Sequence, residues 1–135
     1  MSIISVIQAR ISSTRLSGKV LKKIEGKTVL EHAINRVKAT KKIDDVIVAT
    51  TVKKEDLEIV KLCSNLGISV FCGSEDDVLD RYYQSARLFK VEHIVRVTSD
   101  CPLINPIVID EVINYIFKKK LIMHLILCQK LIWMD

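Results

Sequence analysis

The sequence predicts an α/β fold in which a mostly parallel β-sheet lies between layers of helices. Short apolar runs, of the kind that form buried strands, occur four times along the 135 residues. Each run precedes a segment whose apolar residues recur every three or four positions, as in an amphipathic helix. The connections are short. This alternation is typical of a parallel sheet with helices on both faces, which is a three-layer sandwich.

The predicted strands are runs rich in valine and isoleucine that end at polar or glycine residues. The main strands cover residues 3–7, 46–49, 69–72 and 93–97, and a short one covers 20–24 before a turn at Gly26. Their lengths are usual for strands of an open sheet.

The helices are predicted from their capping residues and apolar stripes. Thr28 and Glu31 match a capping box, so the first helix is expected to run from there to about Lys38. The second helix is expected to end at Gly67, and the third covers about 77–89. Residues expected to face the core are Leu30, Ala33, Ile34 and Val37, then Leu57, Ile59, Val60, Cys63 and Leu66, then Val78, Leu79, Tyr82, Ala86 and Phe89.

The sequence marks the start of the fourth helix clearly, but it gives no clear secondary structure for the end of the chain. Asn105 as N-cap and Pro106 as first residue open the fourth helix, which is expected to reach about Phe117. Residues 118–135 begin with three lysines and continue as an apolar segment without a clear turn. We expect residues 1–117 to form the α/β domain, and 118–135 to be an atypical tail that extends the helix or adds a strand.

Charge and composition narrow the classes of partner. The net charge of +5 fits an anionic ligand, and residues 10–27 hold six cations but only one acid. Aromatic residues make up 5% of the chain, which leaves few stacking platforms for single-stranded nucleic acid. We therefore expect a small anionic partner and no nucleic acid.

The cysteines and the apolar segments indicate the cellular compartment of the protein. Cys63, Cys72, Cys101 and Cys128 are widely spaced and match neither a zinc motif nor a disulfide framework. The N-terminus lacks the pattern of a secretory signal, and no apolar run approaches the roughly 18 residues of a membrane span. These features predict a cytoplasmic protein with reduced thiols and no membrane partner.

The loop after the first strand is the strongest candidate binding element. It carries the cations Arg10, Arg15 and Lys19 among small residues, namely Ser12, Ser13, Thr14 and Gly18. Small residues let backbone N–H groups approach a phosphate, and arginine supplies a planar fork for its oxygens. The loop therefore predicts a polyphosphate site, with a solvated basic loop as the alternative.

Parallel strands deliver their carboxyl ends to one edge of a sheet, so four loops are expected to converge there. These loops cover residues 8–19, 50–53, 73–81 and 98–102. Asp100 would face the cationic loop, and one carboxylate with phosphate oxygens suits Mg²⁺. A turn or capping role is the alternative for Asp100. Thr50 and Thr51 could hydrogen-bond a base or ribose, or could only form a turn.

Other nucleotide motifs are absent from the sequence. No Gly-x-Gly-x-x-Gly follows a strand, and no Walker-type Gly-x-x-x-x-Gly-Lys-Ser/Thr occurs. His32, His93 and His124 lie within predicted helix, strand and tail, so we interpret them as structural. A dinucleotide site and an ordinary P-loop hydrolase are therefore disfavoured.

Three ordered motifs resemble those of the sugar cytidylyltransferases. They are Gln8-Ala9-Arg10 with Ser13-Thr14-Arg15-Leu16-Ser17-Gly18-Lys19-Val20-Leu21, then residues 73–82 and 96–104. The sequence is most similar to the branch of spore-coat polysaccharide biosynthesis protein F, which is related to the enzymes that make CMP-sugars. The resemblance implies a fold of the nucleotide-diphospho-sugar transferase (Rossmann-like) type and cytidylyl transfer from CTP to a sugar or sugar acid.

The resemblance also implies roles for individual residues. Ala9 and Arg10 would meet the nucleotide, and Arg15 and Lys19 its triphosphate, with Arg10 and Lys19 as the catalytic cations. The residues near the base or ribose would be Thr50, Thr51, Asp80 and Arg81, and Asp100 would hold Mg²⁺.

The sequence departs from the family pattern at three places. Ser17 stands where the family commonly has proline, and Ser99 where it often has glycine. Family members continue beyond this length, and residues 118–135 do not resemble that continuation. We therefore expect a truncated or frame-shifted chain, in which self-association as a homodimer is plausible. The alternatives are a nucleotide-binding remnant without catalysis and a glycosyltransferase on a related fold, although the latter usually has an Asp-x-Asp motif.

Overall fold

The elements of the structure follow the alternation expected from the sequence. The structure is a computed structural model that describes residues 2–12, 17–120 and 125–127. Its elements are β1 (Ile3–Gln8), β2 (Lys23–Ile24), β3 (Lys27–Thr28), α1 (Val29–Lys38), β4 (Asp45–Thr51), α2 (Leu57–Asn65), β5 (Ser69–Gly73), α3 (Val78–Leu88), β6 (His93–Thr98), α4 (Pro106–Lys119) and β7 (Leu125–Leu127). Single 3-10 turns cover Lys19–Leu21 and Lys54–Asp56.

The main sheet has β1 at its centre. Its strands are parallel and lie in the order β5-β4-β1-β6-β7. Val6 of β1 is opposite Ile47 of β4 on one side and Arg96 of β6 on the other. The chain leaves β1 towards β4 and later returns to β6, so a crevice opens between the carboxyl ends of β1 and β6. Ligands of open α/β sheets bind at such a switch point.

One face of the sheet, which we call the apolar face, carries the main hydrophobic core. Helices α1, α2 and α4 cover it, because alternate strand residues and one stripe of each helix point into the same layer. Buried side chains of this layer are Ile3, Ile7, Leu30, Ile34, Val37, Val46, Val48, Ile59, Cys63, Val95, Val97, Ile109 and Ile113. Burial of each large aliphatic side chain contributes about 1.5–3 kcal/mol.

The opposite face, which we call the polar face, is covered by α3. Its apolar cluster is small and consists of Val6, Ala49 and Tyr82. The guanidinium carbon of Arg96 lies 4.8 Å from the centre of the Tyr82 ring. Burial raises the pKa of Tyr82, and the neighbouring charge of Arg96 opposes this shift only in part. The two faces together give the predicted arrangement of a parallel sheet between helical layers.

The predicted helix starts are confirmed by their capping contacts. The Thr28 side chain accepts a hydrogen bond of 3.1 Å from the Glu31 N–H at the start of α1. Asn105 accepts one of 2.9 Å from the Ile107 N–H, with Pro106 as the first residue of α4. These side chains satisfy N–H groups that have no partner within the helix.

The prediction of a strand over 20–24 is wrong in its first half. Gly18 has a φ of 72°, which turns the chain into the 3-10 turn Lys19–Leu21 and buries Val20 in the core. Extended structure begins only at Lys23, where β2 pairs with β3 as a short hairpin. In the tail, β7 pairs in parallel with β6, and residues 121–124 and 128–135 lie outside the described residues.

Some residues predicted to face the core are exposed instead. Leu57 is 51% exposed, Leu79 76% and Phe89 36%. Leu57 lies two positions before the buried Ile59, which places it on the far side of α2. In α3 the buried positions are Arg81, Tyr82 and Ser85, because this helix packs on the polar face, where apolar periodicity is a poor guide. Within the described residues, no helix is both long and apolar enough to cross a bilayer.

Candidate active site

The crevice between the carboxyl ends of β1 and β6 holds a cavity of about 190 Å³. Two loops form it. The residues that line it are Gln8, Arg10, Ser12, Lys19, Val20, Thr98, Ser99 and Asp100. The cavity therefore combines two cations and one carboxylate with small hydroxyl groups, at the position where the topology predicts a ligand.

Lys19 and Asp100 face each other across this cavity. The distance from Lys19 Nζ to Asp100 Oδ2 is 3.5 Å, and the side chains are 36% and 39% exposed. Lys19 is positioned by the 3-10 turn after Gly18, and Asp100 follows β6 directly. The expected convergence of the first and fourth loops is thus observed.

The protonation state of Asp100 follows from its neighbours. Burial favours the neutral carboxyl, but a hydrogen bond with Thr98 and the charge of Lys19 outweigh that effect and lower the pKa of Asp100 below its usual value. Asp100 is therefore ionised at neutral pH. An ionised, partly exposed carboxylate is the ligand type that hard divalent cations prefer. Within the described residues, no cluster of three or more histidine, cysteine or acidic side chains forms a metal site.

Backbone hydrogen bonds continue the sheet into the loops around the cavity. Ser99 N–H donates to Gln8 O at 3.1 Å, and Ala9 N–H donates to Ala49 O at 3.0 Å. Ala9 is buried at 1% exposure, whereas the adjacent Arg10 is exposed. Of the predicted loop cations, Arg10 and Lys19 line the cavity, and Arg15 lies outside the described residues.

The carboxyl end of β4 presents two threonines with different surroundings. The Thr51 hydroxyl donates to Asp56 Oδ2 and accepts a hydrogen bond of 3.2 Å from the Lys53 N–H. The Thr50 hydroxyl is buried and has no hydrogen-bond partner within the described residues. Thr50 is fully buried and alternates with the core residues Val46 and Val48, so its hydroxyl points into the apolar layer and is closed to solvent.

Arg81 is a buried cation beside the third loop. It is fully buried, and Nη1 donates to the carbonyl oxygen of Ser74 at 3.0 Å. Its Nε and Nη2 groups have no hydrogen-bond partner within the described residues. Burial lowers the pKa of Arg81, and the charge of Arg10 adds to this shift. Buried N–H groups without partners are costly, so the N–H groups on Nε and Nη2 lower the stability of the fold unless they acquire an acceptor.

Asp80 lies apart from the cavity at the switch point. It borders a shallow second cavity of about 590 Å³, together with Phe71, Gly73, Gln84, Arg87 and Leu88. Its Oδ1 accepts a hydrogen bond of 3.2 Å from Gln84 Nε2. Of the four residues expected near a base or ribose, none lines the cavity that contains Lys19 and Asp100.

Asp56 is a residue of this region that the sequence did not reveal. It is fully buried, although it stands in the run Lys53-Lys54-Glu55-Asp56, which is typical of a solvated helix start. It accepts a hydrogen bond of 2.8 Å from the Ile11 N–H of the first loop. Charge patterns do not distinguish such a carboxylate from its exposed neighbours, so only the fold reveals it.

Comparison with known proteins identifies the family. A family model described as cytidylyltransferase matches residues 4–126. Three of the curated proteins that are similar to the chain illustrate the relationship. Uncharacterized protein MJ1063 of Methanocaldococcus jannaschii is 50% identical over 118 residues, which are 87% of this chain and 49% of that protein. Spore coat polysaccharide biosynthesis protein SpsF of Bacillus subtilis is 36% identical, over 83% of this chain and 48% of that protein.

The third relative is 3-deoxy-manno-octulosonate cytidylyltransferase of Geobacter sulfurreducens, which is 36% identical over 84% of this chain and 44% of its own length. Among solved structures, a cytidylyltransferase from Leptospira borgpetersenii serovar Hardjo-bovis superposes with a TM-score of 0.84 at 34% identity, over 89% of this chain and 50% of that one. The chain spans about half the length of the curated relatives it matches. The fold is of the Rossmann-like nucleotidyltransferase type, and the chain belongs to the cytidylyltransferase family.

Proposed function

We propose that this chain is the nucleotide-binding part of an enzyme that transfers a cytidylyl group from CTP to a sugar or sugar acid, with release of pyrophosphate. The observation that carries the proposal is the approach of Lys19 Nζ to Asp100 Oδ2 at 3.5 Å across the cavity at the switch point. Family membership supports CTP as the nucleotide, and the names of two relatives support a sugar acid or a surface polysaccharide as its destination.

In this proposal the cations of the first loop bind the triphosphate. Arg10 and Lys19 line the cavity, and Arg15 belongs to the same loop. A guanidinium binds phosphate oxygens as a fork, whereas the lysine ammonium acts as a point charge. Their positive charge opposes the charge that develops as pyrophosphate leaves, so they act through electrostatic stabilisation.

Asp100 is the residue that we propose for Mg²⁺. One partly exposed, ionised carboxylate fits a cation that takes most of its remaining ligands from phosphate oxygens and water. When bound, Mg²⁺ would neutralise phosphate charge beside the bond that breaks. Lys19 would then turn from its present contact with Asp100 towards the phosphates.

The base and ribose are proposed to lie towards β4 and β5. Arg81 lies on the polar face, and its buried Nε and Nη2 atoms have no partner within the described residues. Thr50 alternates with Val46 and Val48 along β4, so its side chain lies on the apolar face and it would meet the nucleotide through its backbone. Backbone atoms of Ala9 and Thr51 border the same edge of the sheet, and Asp80 flanks the third loop. Positioning of the nucleotide against an acceptor, rather than covalent chemistry, would supply much of the rate enhancement.

The proposal covers organisation and location as well. Residues 1–117 would form the nucleotide-binding unit and residues 118–135 an apolar tail. The enzyme would act in the cytoplasm on small molecules, without nucleic acid or membrane, as a homodimer. A nucleotide-binding remnant that lacks catalysis is the second candidate.

Calorimetry with CTP and MgCl₂ tests the proposal. Lys19→Ala should weaken CTP binding about 10- to 100-fold, because a charge-assisted hydrogen bond contributes about 1.5–3 kcal/mol. Lys61→Ala is the matched control, since it removes the same charge from an exposed pair with Glu58 on α2. Equal affinities of wild type and Lys19→Ala would reject the assigned site.

A second assay separates the two candidate functions. Release of pyrophosphate from CTP is measured with 3-deoxy-manno-octulosonate and other sugar acids as acceptors. Turnover supports the enzyme, and CTP binding without turnover selects the remnant.

A further inference from the structure

Asp56 is the N-cap residue of α2, but its side chain makes no capping hydrogen bond with that helix. It ends the 3-10 turn Lys54–Asp56, immediately before α2, and is fully buried. A buried carboxylate is costly unless its oxygens accept hydrogen bonds. Here both oxygens do so: Oδ1 accepts from the Ile11 N–H at 2.8 Å, and Oδ2 accepts from the Thr51 hydroxyl.

The two donors come from different loops of the candidate active site. Ile11 belongs to the cationic loop after β1 and is the neighbour of Arg10, whereas Thr51 is the last residue of β4. Asp56 is 45 residues from Ile11 along the chain, so its carboxylate joins the first and second loops.

The connection extends to the third loop. The Thr51 hydroxyl also accepts from the Lys53 N–H at 3.2 Å, and Lys53 Nζ lies 2.6 Å from Glu75 Oε1. Arg81 Nη1 in turn donates to the carbonyl oxygens of Ser74 and Glu75, at 3.0 and 3.4 Å. Asp56 is the member of this chain of contacts that reaches the first loop, through its hydrogen bond with the Ile11 N–H.

We infer that Asp56 is a positioning residue for nucleotide binding, which fixes the backbone at Ile11 and thereby the loop that presents Arg10 and Lys19. It acts through Ile11 and does not touch the nucleotide. The consequence for CTP rests on the proposed function, but the anchoring of Ile11 does not. Loss of the carboxylate leaves the Ile11 N–H without its acceptor and removes the link from Ile11 to Thr51 at the end of β4.

The test compares Asp56→Ala with Asp56→Asn in the full chain. Hydrogen exchange of individual amides is followed by NMR, and CTP affinity is measured by calorimetry with MgCl₂. Asp56→Ala should accelerate exchange at Ile11 at least tenfold and weaken CTP binding at least tenfold. Amides of the sheet, such as those of Val48 and Val97, should keep their wild-type protection. Asp56→Asn should recover part of both losses, because its carbonyl oxygen still accepts one of the two donors.

Glu55→Gln is the matched control, because it removes an adjacent but exposed carboxylate. It should leave both readouts within twofold of wild type. Faster exchange at Ile11 with unchanged CTP affinity would overturn the positioning role, and so would a uniform loss of protection across the sheet. If wild type fails to bind CTP, the proposed function fails, while exchange at Ile11 still decides whether Asp56 anchors the loop.

Discussion

The two faces of the sheet differ in what fills them. On the apolar face, three helices bury isoleucine, leucine and valine against alternate strand residues. On the polar face, α3 brings Arg81, Tyr82 and Ser85 inward against a much smaller apolar cluster. The difference teaches that the large apolar core and the buried polar groups of α3 lie in separate layers, which substitutions can address separately.

Removal of a core side chain from the apolar face should have the largest effect on stability. Leu30 is fully buried in α1, so Leu30→Ala should lower the free energy of unfolding by about 2–5 kcal/mol. Leu79→Ala on α3 is the control, because Leu79 is 76% exposed and its loss should cost less than about 0.5 kcal/mol. Urea unfolding followed by circular dichroism measures both. Similar losses for the two variants would show that the core is not confined to the apolar face.

Replacement of the buried cation on the polar face should change stability much less. Arg81→Met keeps the length of the side chain and removes a guanidinium whose Nε and Nη2 lack partners within the described residues. The variant loses the hydrogen bonds to the carbonyl oxygens of Ser74 and Glu75, but it also avoids the cost of burying a charged group, so we expect a change within about 1 kcal/mol.

The same variant should lose affinity for CTP at least tenfold, because Arg81 is proposed to donate to the base or ribose. Arg36→Met on the exposed side of α1 is the control for loss of a charge. If Arg81→Met unfolds the protein but the folded fraction still binds CTP, Arg81 has a structural role. The proposal that the polar face contributes to binding rather than to stability would then be wrong.

The smallest effect is expected at the rim, where Asp100 contacts Lys19. The pKa of Asp100 is lower in the folded chain than the ordinary value of 3.8, so its ionised form stabilises the fold above about pH 4. That contribution should disappear as the pH falls from 3.8 through the lower folded value. Because the pair is partly exposed, it should amount to well under about 1 kcal/mol.

Acid unfolding of wild type and Asp100→Asn measures this contribution. The difference between their free energies of unfolding should be constant at neutral pH and shrink below pH 3.8, with a weaker dependence in high salt. If the difference in the free energy of unfolding grew as the pH fell, the folded state would raise the pKa of Asp100. That result would contradict an ionised Asp100 paired with Lys19.

The sequence predicts the apolar face well and the polar face poorly, for a physical reason. Leu30, Ile34 and Val37 recur at helical spacing because they fill a purely apolar layer, and each is buried as expected. In α3, periodicity selects Leu79 and Phe89, which are exposed. Its inward side also carries polar groups that hydropathy assigns to solvent, so the burial of Arg81 could not be read from the pattern.

The candidate site also contains residues that the sequence predicts and one that it does not. Convergence of Arg10, Lys19 and Asp100 follows from parallel strands, which bring their carboxyl ends to one edge whatever the details of packing. Asp56 was not predictable, since its partners are a backbone N–H 45 residues away and a hydroxyl at a strand end. Contacts of that kind depend on how two loops meet in space, and no local pattern encodes them.

The central place of β1 has a consequence for synthesis of the chain. Val6 pairs with Ile47 on one side and with Arg96 on the other, so β1 completes its hydrogen bonding only after the chain has been synthesised as far as β6. Until then one border of this strongly hydrophobic strand remains open, and an open strand border attracts other chains. The organisation that builds the crevice therefore leaves the nascent chain dependent on β6, or on chaperones, for protection against aggregation.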